Sequence, residues 1–353
     1  MNVLLEIVVQ RGGSDLHITV GVPPMMRLHG DLMPIENTPV LTKRDTQDLI
    51  FSVMSDERRT ALEEDFETDF AYAIPDHGVR FRVNAYYQRT SLGAAFRLIP
   101  LSIRTIAELG LPDVVASLAD KTRGFVLITG PTGCGKSTTI AAMIDRINST
   151  RAEHVMTIED PIEYLHSHKR SVVNQREVNS DTKSFGSALK HVLRQDPDVI
   201  LIGEMRDLET VAAALTAAET GHLVFATLHT QDASQTVDRI IDVFPPSQQA
   251  QIRVQLAGTL QGVVSQQLLP AADGRSRAVA CEVLIPTPAI RNLIREGKAH
   301  QLMTAMQTGT QYGMVTMDAS LADMYKQGII TLDTAMQRAV DPAVLMTLLD
   351  KTR

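Results

Sequence analysis

The chain has 353 residues, 44% hydrophobic and 21% charged, with a formal net charge of −7. These are the proportions of a globular protein long enough for two domains of ordinary size. The negative balance argues against a dominant nucleic-acid surface, which is ordinarily basic. Two cysteines, Cys134 and Cys281, are too few for a four-cysteine zinc site, and their separation argues against a structural disulfide. No apolar run approaches the ~20 residues that span a bilayer. The N-terminus has no basic region followed by an apolar core, so the expectation is a cytoplasmic protein that reaches any membrane through partners.

Residues 2–11 read as a short helix with Val3, Leu4, Ile7 and Val8 on one face, ended by Gly12 and Gly13. Residues 14–20 alternate as a strand, and Gly21-Val22-Pro23-Pro24 is a turn. Residues 25–28 read as a second strand, with His29-Gly30-Asp31 as its turn. Residues 42–66 are mostly helical, with Thr42 as N-cap and Asp45 three residues on. Strands at 68–74, 79–89 and 91–99 follow, punctuated by Asp76-His77-Gly78 and Arg89-Thr90. On the middle strand Val79, Phe81, Val83 and Ala85 point one way, and Arg80, Arg82 and Asn84 the other. Arg97 stands on the neighbouring strand. These arginines are either a solvated sheet face or a basic face offered to an anion such as phosphate. Residues 1–100 therefore predict a small α+β domain with a mainly antiparallel sheet.

Residues 101–123 read as a helical connector containing Gly110 and Pro112. From Gly124 the pattern becomes α/β, with strands at 125–129, 154–158, 199–202 and 222–228. Helices between them are expected at 136–148, 184–195 and 207–219, the last closed by Gly221. Residues 261–269 and 277–285 read as a hairpin around Ala272-Asp273-Gly274. The chain is mostly helical from Pro288, so the second domain is 124–353 with a helical region from about 286.

The first strand of that domain runs into Gly130-Pro131-Thr132-Gly133-Cys134-Gly135-Lys136-Ser137-Thr138, the spacing Gly-x4-Gly-Lys-Ser/Thr, with a helix after it. Strand, glycine loop and helix together make a phosphate-binding loop. Its N–H groups curl around phosphate oxygens, and the helix start adds positive charge. Lys136 is expected at the β- and γ-phosphates and Ser137 on Mg2+. Ligands of a parallel sheet sit beyond the carboxyl ends of its strands. The second strand ends in Glu159-Asp160-Pro161-Ile162-Glu163, the third in Gly203-Glu204-Met205-Arg206-Asp207, and the fourth in His229-Thr230. Phosphoryl transfer to water requires held phosphates, Mg2+ and an oriented water. Glu159, Asp160, Glu163 and Glu204 are the candidates for orienting or deprotonating that water. Gly203 stands where many phosphate-loop enzymes carry Asp, so Mg2+ must lean on Ser137 and Glu204. His229 is placed to sense a γ-phosphate. His222, about six rises of ~3.3 Å away, cannot share that phosphate within one subunit. It is structural, or acts in positioning or across an interface.

Together these residues resemble the secretion-type hexameric ATPases, and within them the type IV pilus retraction (twitching motility) ATPases, over essentially the whole chain. The resemblance rests on the phosphate loop, on Thr157-Ile158-Glu159-Asp160-Pro161-Ile162-Glu163, and on Ile200-Leu201-Ile202-Gly203-Glu204-Met205-Arg206-Asp207. It rests also on the histidine box from His222 to Thr230, and on Ala289-Ile290-Arg291-Asn292-Leu293-Ile294-Arg295-Glu296, similar to the stretch that marks retraction ATPases. It implies a RecA-like ATPase domain with an N-terminal PAS-like α+β domain, and Mg2+-dependent ATP hydrolysis. Glu163 would be the catalytic base, Glu204 the residue tied to Mg2+ and the water, and His229 the γ-phosphate contact. Arg80, Arg82 and Arg97 would approach nucleotide across a subunit boundary. The implied assembly is a homo-hexameric ring, peripheral at the inner-membrane pilus base. Its implied partners are a platform protein and a paralogous retraction ATPase, and nucleic acid is not among them. The short N-terminal region and the missing zinc cysteines favour retraction over extension. Cys134, where Ser is common, departs from the pattern and is expected to point away from the phosphates. By periodicity alone, 289–296 is an ordinary amphipathic surface helix capped by Thr287 and opened by Pro288. Two rival readings are a DNA-translocating or conjugation ATPase and a non-hydrolysing accessory subunit.

Overall fold

Alternating apolar and polar residues build the first sheet of the computed structural model, which describes residues 1–28, 30–74, 79–99, 102–274 and 276–350. The chain divides into two units, Met1–Ser102 with Pro161–Leu165, and Ile103–Asp160 with His166–Arg353. The first unit contains α1 (Asn2–Gln10), β1 (Asp15–Ile18), β2 (Met25–Leu28), β3 (Asp31–Pro34), α2 (Lys43–Phe51), α3 (Asp56–Asp65), β4 (Glu67–Ala73), β5 (Arg80–Gln88) and β6 (Ser91–Ile99). Its antiparallel sheet has the order β3-β2-β1-β6-β5-β4. Leu5, Val8, Ile50 and Leu62 from the helices pack with Phe81, Val83 and Phe96 in one apolar core.

Thr42 caps α2 through a reciprocal pair: Asp45 N–H donates to Thr42 Oγ1, and Thr42 N–H donates to Asp45 Oδ2 at 2.8 Å. The mostly helical stretch expected over 42–66 consists of two helices. Ser55 accepts from Arg58 N–H and starts α3 afresh, and a competing N-cap is a sufficient reason for the break. β3 is an exposed edge strand that no alternation announced. His29 and the expected turn Asp76-His77-Gly78 lie outside the described residues, as do Pro100 and Leu101 at the start of the connector. The rest of that connector is helical only in α4 (Asp113–Ala119), after Pro112.

The second unit continues with β7 (Gly124–Thr129), α5 (Lys136–Thr150), β8 (His154–Glu159), β9 (Val172–Glu177), α6 (Phe185–Val192), β10 (Val199–Ile202), α7 (Leu208–Glu219) and β11 (Leu223–Leu228). Then come α8 (Ala233–Asp242), α9 (Pro246–Thr259), β12 (Leu260–Pro270), β13 (Arg277–Leu284), α10 (Pro288–Arg295), α11 (Leu302–Gln307), α12 (Met317–Lys326), α13 (Leu332–Arg338) and α14 (Pro342–Asp350). The sheet order is β13-β12-β7-β11-β10-β8-β9. All pairs are parallel except β12 with β13. This is the expected α/β, RecA-like sheet. Apolar layers cover both faces, one from α4 and α5 and the other from α6 to α10. The register sets Thr129 opposite Leu228, and Ile202 opposite both Ala226 and Ile158. The carboxyl ends of β7, β11, β10 and β8 thus open on one edge. Among the described residues no helix is long and apolar enough to cross a membrane.

Candidate functional site

β7 is buried along its whole length, and the glycine loop leaves it at Gly130. Gly130 has φ 137°, and a Cβ there would lie 2.4 Å from the Gln266 carbonyl oxygen. Only glycine lets the loop pass β12 this closely. Gln266 itself is buried and donates Nε2 to Thr139 Oγ1 at 2.8 Å, tying β12 to the first turn of α5. Lys136 Nζ donates to the carbonyls of Gly130 at 2.7 Å and Pro131 at 3.1 Å, so its ammonium lies over the rim of the loop. Ser137 and Thr138 follow half-buried on α5. The outer side of the loop borders a cleft of about 260 Å³ whose other wall includes Gln267, Leu268 and Arg338. Cys134 is 3% exposed, and burial pushes its thiol above the usual range. It is a packing residue under the loop, without thiolate character.

The ends of β10 and β11 meet beside this loop. Glu204 Oε1 accepts from Arg206 Nε at 2.7 Å and lies 3.1 Å from His229 Nε2. Burial pushes the Glu204 carboxyl up, but Arg206, His229 and Lys136 outweigh it and hold the group below the usual carboxylate range. Lys136 of the phosphate loop is the weakest of these three influences. At Gly203 a Cβ would stand 3.2 Å from Glu159 Cα and from the Ile158 carbonyl oxygen. A side chain at this position would require the ends of β8 and β10 to give by a few tenths of an ångström, which disfavours Asp here. Thr227 Oγ1 donates to the Gly203 carbonyl at 2.5 Å and links β11 to the same turn.

Glu159 is half-buried and accepts from Thr157 Oγ1 at 2.7 Å and from Gln175 Nε2 at 3.0 Å. Asp160 is exposed and acts on the Arg206 guanidinium through space. Glu163 is exposed and belongs to the first unit, whereas Lys136 and Glu204 belong to the second. His222 precedes β11, at the opposite edge from His229, and its Nδ1 lies 2.9 Å from the Ala217 carbonyl and 3.2 Å from Thr220 Oγ1. It is engaged at the end of α7. In the first unit Arg82 is exposed and paired across the sheet with Arg97. Arg97 Nε donates to the buried carboxylate of Asp15 at 2.9 Å, and Arg80 is half-buried on the same face. Lys136, Ser137, Glu204 and His229 are therefore brought together, His222 is not, and Glu163, Arg80, Arg82 and Arg97 lie in the other unit. Arg206 and Gln175 are site neighbours without an expected role. An arginine two residues past Glu204 in a strand-end turn was the available signal for the first.

The retraction-type stretch differs from an ordinary surface helix at Arg291. Ile290 and Ile294 of α10 are fully buried, and Arg291 donates to the carbonyls of Ala257, Gly258 and Leu260, capping α9. Leu293 packs partly buried against the same core.

The donor chemistry fits nucleotide with Mg2+. Among the described residues no group of three or more His, Cys, Asp or Glu could hold a metal by itself. Ser137 and Glu204 are hard oxygen donors of the kind Mg2+ takes alongside phosphate and water.

The type II/IV secretion system protein family model matches residues 1–309. The chain is 50% identical over 340 residues to the type IV pilus retraction ATPase PilT of Pseudomonas aeruginosa, covering 96% of this chain and 98% of that one. It is 46% identical to the type IV pilus ATPase PilU of the same organism, over 95% of this chain and 87% of that one. The crystal structure of the pilus retraction motor PilT with bound ADP matches with a TM-score of 0.92 and 51% identity, over 98% of this chain and 99% of that one. On the extent of these matches and the geometry above, the chain belongs to the type II/IV secretion system protein family.

Proposed function

We propose that this protein is an ATP-hydrolysing motor subunit that powers type IV pilus retraction. One observation carries the reading: Lys136, Glu204 and His229 converge at the carboxyl edge of the parallel sheet, beside a glycine loop shaped for phosphate. The similarity to a retraction ATPase and to an ADP-bound retraction motor supports it.

In this reading the loop N–H groups and the start of α5 hold phosphate oxygens. Lys136 exchanges the Gly130 and Pro131 carbonyls for the β- and γ-phosphates. Ser137 and Glu204 are the residues that would hold Mg2+, which neutralises charge developing on the phosphate oxygens. Glu163 is assigned as the base for the attacking water, and Glu204 also orients that water. His229, already beside Glu204, is assigned to the γ-phosphate. Arg80, Arg82 and Arg97 are assigned to the nucleotide of a neighbouring copy in a homo-hexamer. His222 receives no phosphate contact within its own subunit. The ring would work at the cytoplasmic side of the inner membrane through a platform protein, with a paralogous ATPase as a further partner.

A clean deletion scored for twitching and surface piliation tests the output. Loss of twitching with excess pili is the expected result, and loss of pili altogether would instead indicate extension. Steady-state ATP turnover by the purified protein separates a motor from an accessory subunit, which would bind nucleotide without turning it over.

A further inference from the structure

Glu282 stands in β13 with only 1% of its surface exposed. Its Oε1 accepts from Ala233 N–H at 2.8 Å, and Ala233 is the first residue of α8. Its Oε2 is buried without a hydrogen-bond partner among the described residues. Carboxyl groups are rarely retained in such a place unless they hold something.

The strand register shows what Glu282 belongs to. Glu282 lies opposite Ser265 of β12, and Ser265 lies opposite Thr129 of β7. Thr129 Oγ1 donates to Ser265 Oγ at 2.9 Å, and all three residues are buried. Thr129 is the last residue of β7 before Gly130. One polar row therefore starts at the root of the phosphate loop and ends at Glu282, which grips α8. Only Thr230, Gln231 and Asp232 separate His229 from α8, and Thr230 is tied back to Thr236 of that helix by a hydroxyl pair at 2.6 Å. This short, tethered link limits how far His229 can stand from the first turn of α8.

We propose that Glu282 is a positioning residue for hydrolysis, fixing the start of α8 so that His229 stays against Glu204 while the same row seats the root of the phosphate loop. The inference rests on the nucleotide reading above. An ionised carboxylate holds helix-start N–H groups more firmly than a neutral acid. Burial pushes the Glu282 carboxyl up to about 7, with the Ala233 N–H pulling it down. The charges that act on it are Asp232 at the start of α8 and Asp318 of α12, both of which push it up; β12 carries none. The grip on α8 therefore changes within the pH range in which ATP turnover is ordinarily measured.

The test is ATP turnover by wild type, Glu282→Gln and Glu282→Ala from about pH 6 to about pH 9, with thermal melts as the folding control. Wild-type kcat is expected to rise through a step near pH 7. Glu282→Gln keeps an acceptor for Ala233 but cannot ionise, so the step should vanish while KM stays within about twofold. Glu282→Ala should lose about tenfold in kcat, and Gln should restore part of that loss. A step that survives in Glu282→Gln, or a kcat within about twofold of wild type in both variants, overturns the proposal. If the Ala variant does not fold, the pH profile of the Gln variant decides alone. A wild type that turns over no ATP at any pH overturns the nucleotide reading and this inference with it.

Discussion

His229 Nε2 lies 3.1 Å from Glu204 Oε1, and the same oxygen takes the Arg206 guanidinium at 2.7 Å. One carboxylate thus joins the ends of two strands beside Lys136, and the positive groups around it keep it ionised. Glu204→Gln keeps the shape and removes the charge. It is expected to lower ATP turnover about 100-fold or more while nucleotide binding persists. Turnover within about tenfold of wild type would remove Glu204 from the reaction. Arg206→Ala withdraws the nearest positive charge, so the pH at which activity is lost on acidification should move upward.

A Cβ at Gly203 would stand 3.2 Å from Glu159 Cα and from the Ile158 carbonyl, so a side chain there must push the strand ends apart by a few tenths of an ångström. Restoring the commoner acid with Gly203→Asp should therefore destabilise the second unit by about 1–3 kcal/mol, not improve metal binding. Thermal denaturation measures this, and an unchanged Tm would show that the strand ends can separate without cost.

Much of the site could be read in the sequence because its signals are local. The Gly-x4-Gly-Lys-Ser spacing, the apolar strand before it and the helix after it are consecutive residues. The opposite placement of His222 and His229 follows from the rise of one strand. What escaped depends on neighbours far away in the chain. The polar edge strand β9, which supplies Gln175 to Glu159, has no apolar alternation. α9 buries few of its residues, Ile252, Leu256, Ala257 and Thr259, and carries little periodic signal. The two arginines of α10 look equivalent at i and i+4, yet Arg291 meets the end of α9 while Arg295 is exposed.

Arg291→Ala should therefore act on stability before it acts on output. It would strip the carbonyls of Ala257, Gly258 and Leu260 at the junction of α9 and β12. A loss of about 1–3 kcal/mol is expected by chemical denaturation, and Arg291→Lys should recover only part of it. Arg295→Ala, on the exposed face, should leave stability within about 0.5 kcal/mol of wild type. A retraction defect in Arg295→Ala with normal ATP turnover would assign the output surface to that face.

Glu163 is exposed and stands in the unit that holds the arginine face. If it is the base, Glu163→Gln should reduce kcat by about 100-fold or more with little change in KM. Unchanged turnover would pass the role to Glu159 or Asp160.

Asp15 gives the first unit its acid sensitivity. Burial pushes its carboxyl up, but Ser14 and Arg97 outweigh this and hold it below the ordinary aspartate value of 3.8. A carboxyl whose folded value is depressed contributes stability that is fully present above its unfolded value. That contribution disappears as pH falls from 3.8 through the lower folded value. Asp15→Asn removes the charge at every pH. It should make the protein less stable than wild type at neutral pH, and the two melting curves should converge on acidification below about pH 4. The substitution also releases Arg97 from its 2.9 Å ion pair. If Arg97 reaches a neighbour's phosphate, Asp15→Asn should change the nucleotide concentration at which turnover half-saturates. If Arg97 only braces the sheet, stability alone should change.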